Sequence, residues 1–197
     1  GRRMPWIWAA SIIFVICSWM LWYMVPDGST MWFSLIIFSI AFIAAEFAAV
    51  FTNAMLPSLG SRQDVGKISG NGMALGYIGG ILSLFIMLFF FFDDGGKTFM
   101  LGLKPGLGFL DPDAREGTRA VGPLISIWFV VFIIPFFMWV KEGKTPNLQG
   151  GFSQSMNELK LSLLGMLKRP SLFSFMGAQM FYRDALNGLY GFGGVYA

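Results

Sequence analysis

Long runs of apolar residues are the feature that most constrains how this chain can fold. A helix needs about 20 apolar residues to cross a hydrocarbon core about 30 Å thick. Runs of about this length cover residues 4–25, 31–52, 72–92 and 121–140. We therefore predict four membrane-spanning helices within residues 1–140.

The composition excludes an ordinary soluble domain. Of the 197 residues, 55% are hydrophobic, 17% are aromatic and only 13% are charged, against about 25% charged in soluble domains. Tryptophans stand near both ends of the first run, where they suit the two membrane interfaces. The sequence predicts an all-α fold, a multi-spanning membrane helix bundle.

A polar connector, residues 141–170, separates these runs from a last apolar stretch, residues 171–197. Five large apolar residues in the connector recur at steps of three or four: Phe152, Met156, Leu159, Leu163 and Leu167. Ser155 and Glu158 fit a capping box at the start of such a helix. The spacing predicts an amphipathic helix on the inner membrane surface, or a solvated linker helix between two halves. Residues 171–197 are predicted to form a fifth span.

The positions of Lys and Arg predict the orientation of the spans. Nine of these residues lie in segments 1–3, 53–70 and 141–170, and four lie in the connector 93–119. Because cytoplasmic loops carry the excess of Lys and Arg, the first set is predicted to be cytoplasmic. The first and fifth spans then run outward.

Several function classes lack the residues they need. The chain has no His and a single cysteine, Cys17, so a disulfide framework and a Ser–His nucleophile are excluded. Only carboxylates remain to bind a metal. We therefore expect no catalytic residue, metal site, cofactor or nucleic-acid partner. The chain begins with Gly1 and ends in apolar residues, and we expect it to be part of a longer polypeptide.

A glycine stripe marks the third span. Gly72, Gly76 and Gly80 recur every four residues, and Gly79 lies beside the last. Such spacing lets two helix backbones approach closely, so we predict helix packing through these residues. A gating or substrate-facing role, with Tyr77 as the polar group, is the alternative.

Glu46 is a carboxylate inside the second span. Asn53 follows seven residues later, about two helical turns along the same face. A low-dielectric environment favours the neutral form of a carboxyl, which suits a proton carrier. The alternative is a hydrogen-bonded structural Glu near the inner interface.

Three polar residues lie inside the last apolar run: Arg183, Asp184 and Asn187. A charged residue at the centre of a membrane helix costs about 2.5–3.5 kcal/mol on insertion scales, and the usual reason for it is a solute or proton path. Arg183 and Asp184 point about 100° apart, so they do not simply neutralise each other. A buried ion pair with another span, which would only fix packing, is the alternative.

Four segments of the chain resemble one branch of the major facilitator superfamily. They are residues 53–57 (NAMLP), 66–80 (GKISGNGMALGYIGG), 181–184 (FYRD) and 192–197 (FGGVYA). The branch is related to the vacuolar amino-acid effluxers of fungal autophagy and has many bacterial relatives. The resemblance implies helices three to seven of a twelve-helix transporter, with the missing helices of the same chain as partners. It also implies a multi-pass protein of a bacterial inner membrane.

The sequence and the resemblance together favour a secondary transporter in the lipid bilayer. It would move a small solute, with amino-acid efflux as the candidate, by alternating access and with protons as the candidate coupling ion. Asp184, Arg183, Asn187, Glu46 and Asn53 are the predicted solute or proton path. The alternative is a non-transporting membrane scaffold or subunit. A membrane-embedded enzyme would need clustered catalytic groups, which the isolated carboxylates do not supply.

Overall fold

The computed structural model describes residues 3–25, 28–61, 63–94, 97–98, 102, 104–140 and 152–196. Nearly all of this part is helical, which confirms the all-α class. The α-helices are α1 (Met4–Met20), α2 (Met31–Met55), α3 (Val65–Ile86), α4 (Glu116–Arg119), α5 (Val121–Trp139), α6 (Phe152–Leu167) and α7 (Pro170–Tyr196). Two short strands, β1 (Asp93–Asp94) and β2 (Lys97–Thr98), pair antiparallel after α3.

Four helical segments are long and apolar enough to cross a membrane. They are Met4–Tyr23, Met31–Ser58, Val65–Phe91 and Glu116–Trp139. Tighter 3₁₀ turns extend α1 and α2, and a π-helical turn (Met87–Phe91) extends α3. These segments confirm a membrane helix bundle. Helix α7 has 27 residues, but it is less apolar and is not one of the four, so its role as a fifth span stays a prediction.

Helix α3 begins earlier than the predicted span, at Val65 rather than at residue 72. The prediction followed apolar residues alone. A helix makes its backbone hydrogen bonds internally, so it continues through polar residues until a turn or a proline stops it. The first turns of α3, which include Lys67 and Asn71, are therefore helical although they are polar.

Helix α1 packs against α2 along a stripe of small residues. The buried residues Ile37, Ala41, Ala44 and Ala48 recur on α2 at steps of four, three and four, so they share one face. Ile37 and Ala41 form a core cluster with Cys17 of α1. Alanines bring the two backbones close, which is how membrane helices gain packing contacts in lipid.

Helix α1 also packs against α5. The Ser126 hydroxyl of α5 donates to the carbonyl oxygen of Val15 at 3.2 Å, or to that of Gly122 at 3.0 Å. Further along the same pair of helices, the rings of Trp8 and Phe137 stack with centroids 3.8 Å apart. Pro135 lies inside α5, and the helix continues through it to Trp139.

Residues 147–197 form a second compact unit, which contains α6 and α7, and residues 1–146 form the first. The apolar residues Met156, Leu159, Leu163 and Leu167 of α6 are about half exposed. Helix α6 begins at Phe152, so Ser155 lies inside the helix and the predicted capping box at Ser155 is wrong. The helix gains one more turn on the N-terminal side than the capping motif predicted.

Candidate functional site

Glu46 lies on the face of α2 that is turned away from α1. Its side chain is exposed, whereas Ala44 and Ala48, two residues to either side, are buried. A step of two residues turns a helix by about 200°, so Glu46 points away from the α1–α2 contact. Among the described residues, the Glu46 side chain forms no hydrogen bond or ion pair. Within a membrane this carboxyl must meet another helix, water or lipid.

Asn53 lies on the same face of α2 and is also exposed. Seven residues separate it from Glu46, which corresponds to about 10.5 Å along the helix axis at 1.5 Å per residue. The midpoint of α2 (Met31–Met55) is residue 43, so Glu46 lies three residues from the middle of the helix. The two side chains therefore form a polar stripe from near the centre of α2 towards its C-terminal end.

Arg183 and Asp184 lie in the middle part of α7, and both side chains are exposed. Within the described part of the chain, neither side chain forms an ion pair or hydrogen bond. Their neighbours Met180, Phe181 and Tyr182 are exposed apolar or aromatic residues. Helix α7 thus presents one positive and one negative charge next to exposed apolar and aromatic side chains. The side chain of Asn187 lies outside the described residues.

The glycine stripe of α3 faces open space. A Cβ atom on Gly72, Gly76 or Gly80 would have no described neighbour within 4 Å, and one on Gly79 would lie 4.0 Å from Nε1 of Trp128. Between α3 and α5 runs an apolar groove of about 520 Å³, whose floor includes Gly76 and Gly79. The predicted helix packing through these glycines stays a prediction.

A second apolar cavity of about 400 Å³ lies where α1, α3 and α5 meet the connector between α3 and α5. We call it the outer groove, after the predicted orientation. It is lined by Trp19, Trp22, Tyr23, Phe91, Leu110, Ala120, Pro123, Leu124 and Ile127.

Arg119 lies beside the outer groove and contacts Trp22 in two ways. Its Nε donates to the Trp22 carbonyl oxygen at 2.8 Å and its Nη2 donates to the same oxygen at 2.5 Å. The guanidinium carbon also lies 5.3 Å from the Trp22 ring, within cation–π range. Sequence reasoning assigned Arg119 only to the connector, because neither contact is visible in local spacing.

A close approach of α1 and α5 is also one that sequence reasoning missed. A Cβ atom on Gly122 would lie 2.5 Å from the carbonyl oxygen of Ser18. Gly122 and Ser126 are four residues apart on α5, and Ser11 and Ser18 are seven apart on α1, all buried. The spacing of these small residues within apolar spans is the sequence pattern from which the contact could have been predicted.

The described residues contain no group of three or more Cys, Asp or Glu side chains placed to hold a metal ion. The carboxylates of interest, Glu46 and Asp184, belong to the first and second units respectively.

Comparison with known proteins identifies the family. The model of the family described as vacuole effluxer Atg22 like matches residues 60–196, which include the helices α3 to α7. No curated protein and no solved structure gives a significant match. The family is one of membrane effluxers of the major facilitator type, and four described helices can span a membrane, which agrees with a multi-pass membrane transporter. Because the match covers more than half of the sequence, the chain belongs to the vacuole effluxer Atg22-like family.

Proposed function

We propose that this protein is a secondary active transporter that exports a small solute by alternating access. The observation that carries the proposal is the charge pair Arg183–Asp184, exposed on an apolar helix of a chain that belongs to an effluxer family. Charged side chains in membrane helices face cavities or partners, because exposing them to lipid is costly. In this proposal, both charges line a pathway through the helix bundle.

The chemistry of the pair suits an amino acid as the solute. A guanidinium binds a carboxylate through two parallel hydrogen bonds, and a carboxylate accepts hydrogen bonds from an ammonium group. Arg183 and Asp184 are consecutive and point about 100° apart. A zwitterion can then bind Arg183 through its carboxylate and Asp184 through its ammonium group. Asn187, one turn further along α7, would contribute a neutral hydrogen-bonding group.

Glu46 is the proposed second polar site, with Asn53 about two turns further along the same face of α2. A carboxyl near the middle of α2 can take up a proton on one side of the membrane and release it on the other. Proton movement through Glu46 would couple export to the proton gradient. The proposed partners are the lipid bilayer, the solute, protons and further helices of the same polypeptide, and the proposed location is a bacterial inner membrane.

Transport in proteoliposomes tests this function. Full-length protein would be reconstituted with an imposed proton gradient and a mixed pool of labelled amino acids, beside its Asp184→Asn and Glu46→Gln variants. Glu158→Gln is the matched control, since Glu158 is an exposed carboxylate of α6 that accepts a hydrogen bond from Gln154 at 3.3 Å. We expect gradient-dependent flux that Asp184→Asn reduces at least tenfold and Glu158→Gln leaves unchanged.

Three other outcomes would each contradict a part of the proposal. Flux that Asp184→Asn leaves unchanged would remove Asp184 from the path and assign it to packing. Flux that persists without a proton gradient, and that Glu46→Gln does not alter, would contradict proton coupling. Absence of flux for every solute in the pool, with correctly folded protein, would favour the scaffold alternative.

A further inference from the structure

The outer groove opens onto a surface that suits lipid. Helices α1 (Met4–Met20) and α5 (Val121–Trp139) contain no charged residue. Around the groove they expose large apolar side chains, among them Ile16, Trp19, Ile125 and Ile127, each between 41% and 53% exposed. The charged residues of the candidate path lie instead on α2 and α7. We therefore expect lipid chains to contact the groove.

The aromatic residues place the outer groove near the membrane interface. Trp19, Trp22 and Tyr23 line it at the end of α1, and Tyr and Trp prefer the level of the lipid headgroups. The cavity of about 400 Å³ falls within the size range of small-molecule sites, about 300–1,000 Å³. It can hold a flexible apolar chain that enters from the bilayer.

Arg119 supplies a cation at the rim of this groove. A guanidinium has five N–H donors, and Arg119 uses one on Nε and one on Nη2 to bind the Trp22 carbonyl oxygen. Its Nη1 group has no partner among the described residues. The Trp22 contacts fix the guanidinium plane, so its remaining donors are pre-oriented. Planar arrangements of this kind bind phosphate through two parallel hydrogen bonds.

The acidic residues near Arg119 do not cancel its charge by direct pairing. Glu116 is the closest in sequence, and its carboxylate accepts a hydrogen bond from the backbone N–H of Asp111 at 2.9 Å. Asp111 in turn accepts from the N–H of Asp113. Within the described residues, neither carboxylate forms an ion pair with Arg119.

We propose that the outer groove binds a phospholipid of the outer leaflet, with one acyl chain in the groove and the lipid phosphate on Arg119. The apolar lining suits the acyl chain, and the cation at the rim suits the phosphate. Neither this groove nor the one between α3 and α5 has a charged residue in its lining, and the outer groove is distinguished by Arg119, which contacts its lining residue Trp22.

Native mass spectrometry of the full-length protein tests the proposal. Delipidated protein in mild detergent would be titrated with dioleoyl phosphatidylglycerol, and separately with dioleoyl glycerol, which has the same chains without phosphate. We expect the phospholipid to bind at least tenfold more tightly than dioleoyl glycerol. Inorganic phosphate alone should neither bind nor displace the lipid.

Three substitutions locate the site. Arg119→Gln removes the cation, and Ile127→Trp fills the groove from its exposed side without touching Arg119. Arg115→Gln is the matched control, since Arg115 is an exposed arginine four residues away. We expect the first two variants to weaken phospholipid binding at least tenfold and the control to bind like the unaltered protein.

Circular dichroism and gel filtration would show whether each variant is folded, because Arg119 also binds the end of α1. If Arg119→Gln does not fold, Ile127→Trp and the comparison of the two lipids decide the question. Unchanged phospholipid binding by folded Arg119→Gln would overturn the proposal. Equal affinity for dioleoyl glycerol, or competition by inorganic phosphate, would overturn it as well.

Discussion

A Cβ atom on Gly122 of α5 would lie 2.5 Å from the carbonyl oxygen of Ser18 of α1, closer than real Cβ contacts occur. The backbones of these two helices therefore touch at this point. The next neighbour, Cβ of Leu21, would be 3.1 Å away. Only a glycine permits this approach, and the obstructing atom is a main-chain oxygen that cannot rotate aside.

Substitution of Gly122 should separate α1 from α5. We expect Gly122→Val to lower the free energy of unfolding by about 2 kcal/mol, because overpacking a tight contact typically costs about 1–3 kcal/mol. The measurement is thermal unfolding of the full-length protein in detergent. Gly165→Val is the control, since a Cβ on this exposed glycine of α6 has no described neighbour within 4 Å. Equal melting temperatures for Gly122→Val and the unaltered protein would contradict this close approach.

The same substitution at Gly80 tests the packing hypothesis for the glycine stripe of α3. The described residues leave open space around this position. If the stripe packs on a further helix of the full-length protein, Gly80→Val should destabilise the protein about as much as Gly122→Val. A melting temperature like that of Gly165→Val would instead favour the gating or substrate-facing role.

Removal of the Ser11 hydroxyl should stabilise the protein. Ser11 is 4% exposed, and its hydroxyl oxygen has no hydrogen-bond partner among the described residues. An unsatisfied buried polar group costs about 1–3 kcal/mol. We expect Ser11→Ala to raise the free energy of unfolding by about 1 kcal/mol, measured by thermal unfolding. Ser39→Ala is the control and should show no such gain. The exposed Ser39 hydroxyl donates to the carbonyl oxygen of Leu35 at 2.7 Å. A loss of stability in Ser11→Ala would mean that the hydroxyl has a partner.

A methyl group at Gly117 should detach the connector between α3 and α5 from the end of α3. A Cβ there would lie 2.1 Å from the carbonyl oxygen of Phe91. We expect Gly117→Ala to increase the rate of proteolytic cleavage within residues 93–115 severalfold, with protease added from the outer side of oriented membranes. Thr118→Ala, at the exposed neighbouring position, serves as the control. Cleavage at the unaltered rate would show that the connector accommodates the methyl group.

Labelling of a cysteine at position 46 would reveal whether Glu46 faces water. In a Cys17→Ala background, which removes the buried native thiol, we expect Glu46→Cys to react with a membrane-impermeant maleimide. Phe47→Cys should not react. Phe47 is also exposed on α2, but its side chain points about 100° away from that of Glu46 and so lies off the predicted polar face. Reaction at both positions, or at neither, would count against a polar path along the face of Glu46.

The sequence was sufficient for the class of fold. Run length predicts four spans within residues 1–140 because the bilayer fixes the length of an apolar helix, and the described residues contain four such segments there. The fifth predicted span, residues 171–197, stays a prediction. The same argument placed the start of α3 too late, since hydropathy marks the apolar core and not the end of the helix. Charges inside an apolar run, such as Arg183 and Asp184, are also visible from the sequence alone because they are exceptions to the pattern.

The contacts between helices were harder to predict. The four-residue glycine repeat of α3 is a strong sequence pattern, yet the backbones of α1 and α5 approach each other at Gly122 and Ser18 instead. Their positions in the chain are 104 residues apart, so their contact depends on how α1 and α5 pair. Likewise, the contact between Arg119 and Trp22 was not predicted, because no local spacing in the sequence indicates it.

Helix α1 is held at both ends by arginines that bind main-chain oxygens. Arg3 at its start donates to the carbonyl oxygen of Ala54 at the end of α2, and Arg119 donates to Trp22 beyond its last turn. Together with the Gly122 contact, these bonds oppose sliding and rotation of α1 against α2 and α5. We expect the three helices to move as one rigid body during any conformational cycle. Among the described membrane-spanning helices of the first unit, α3 is then the one we expect to move relative to the others, and its residues are all at least partly exposed.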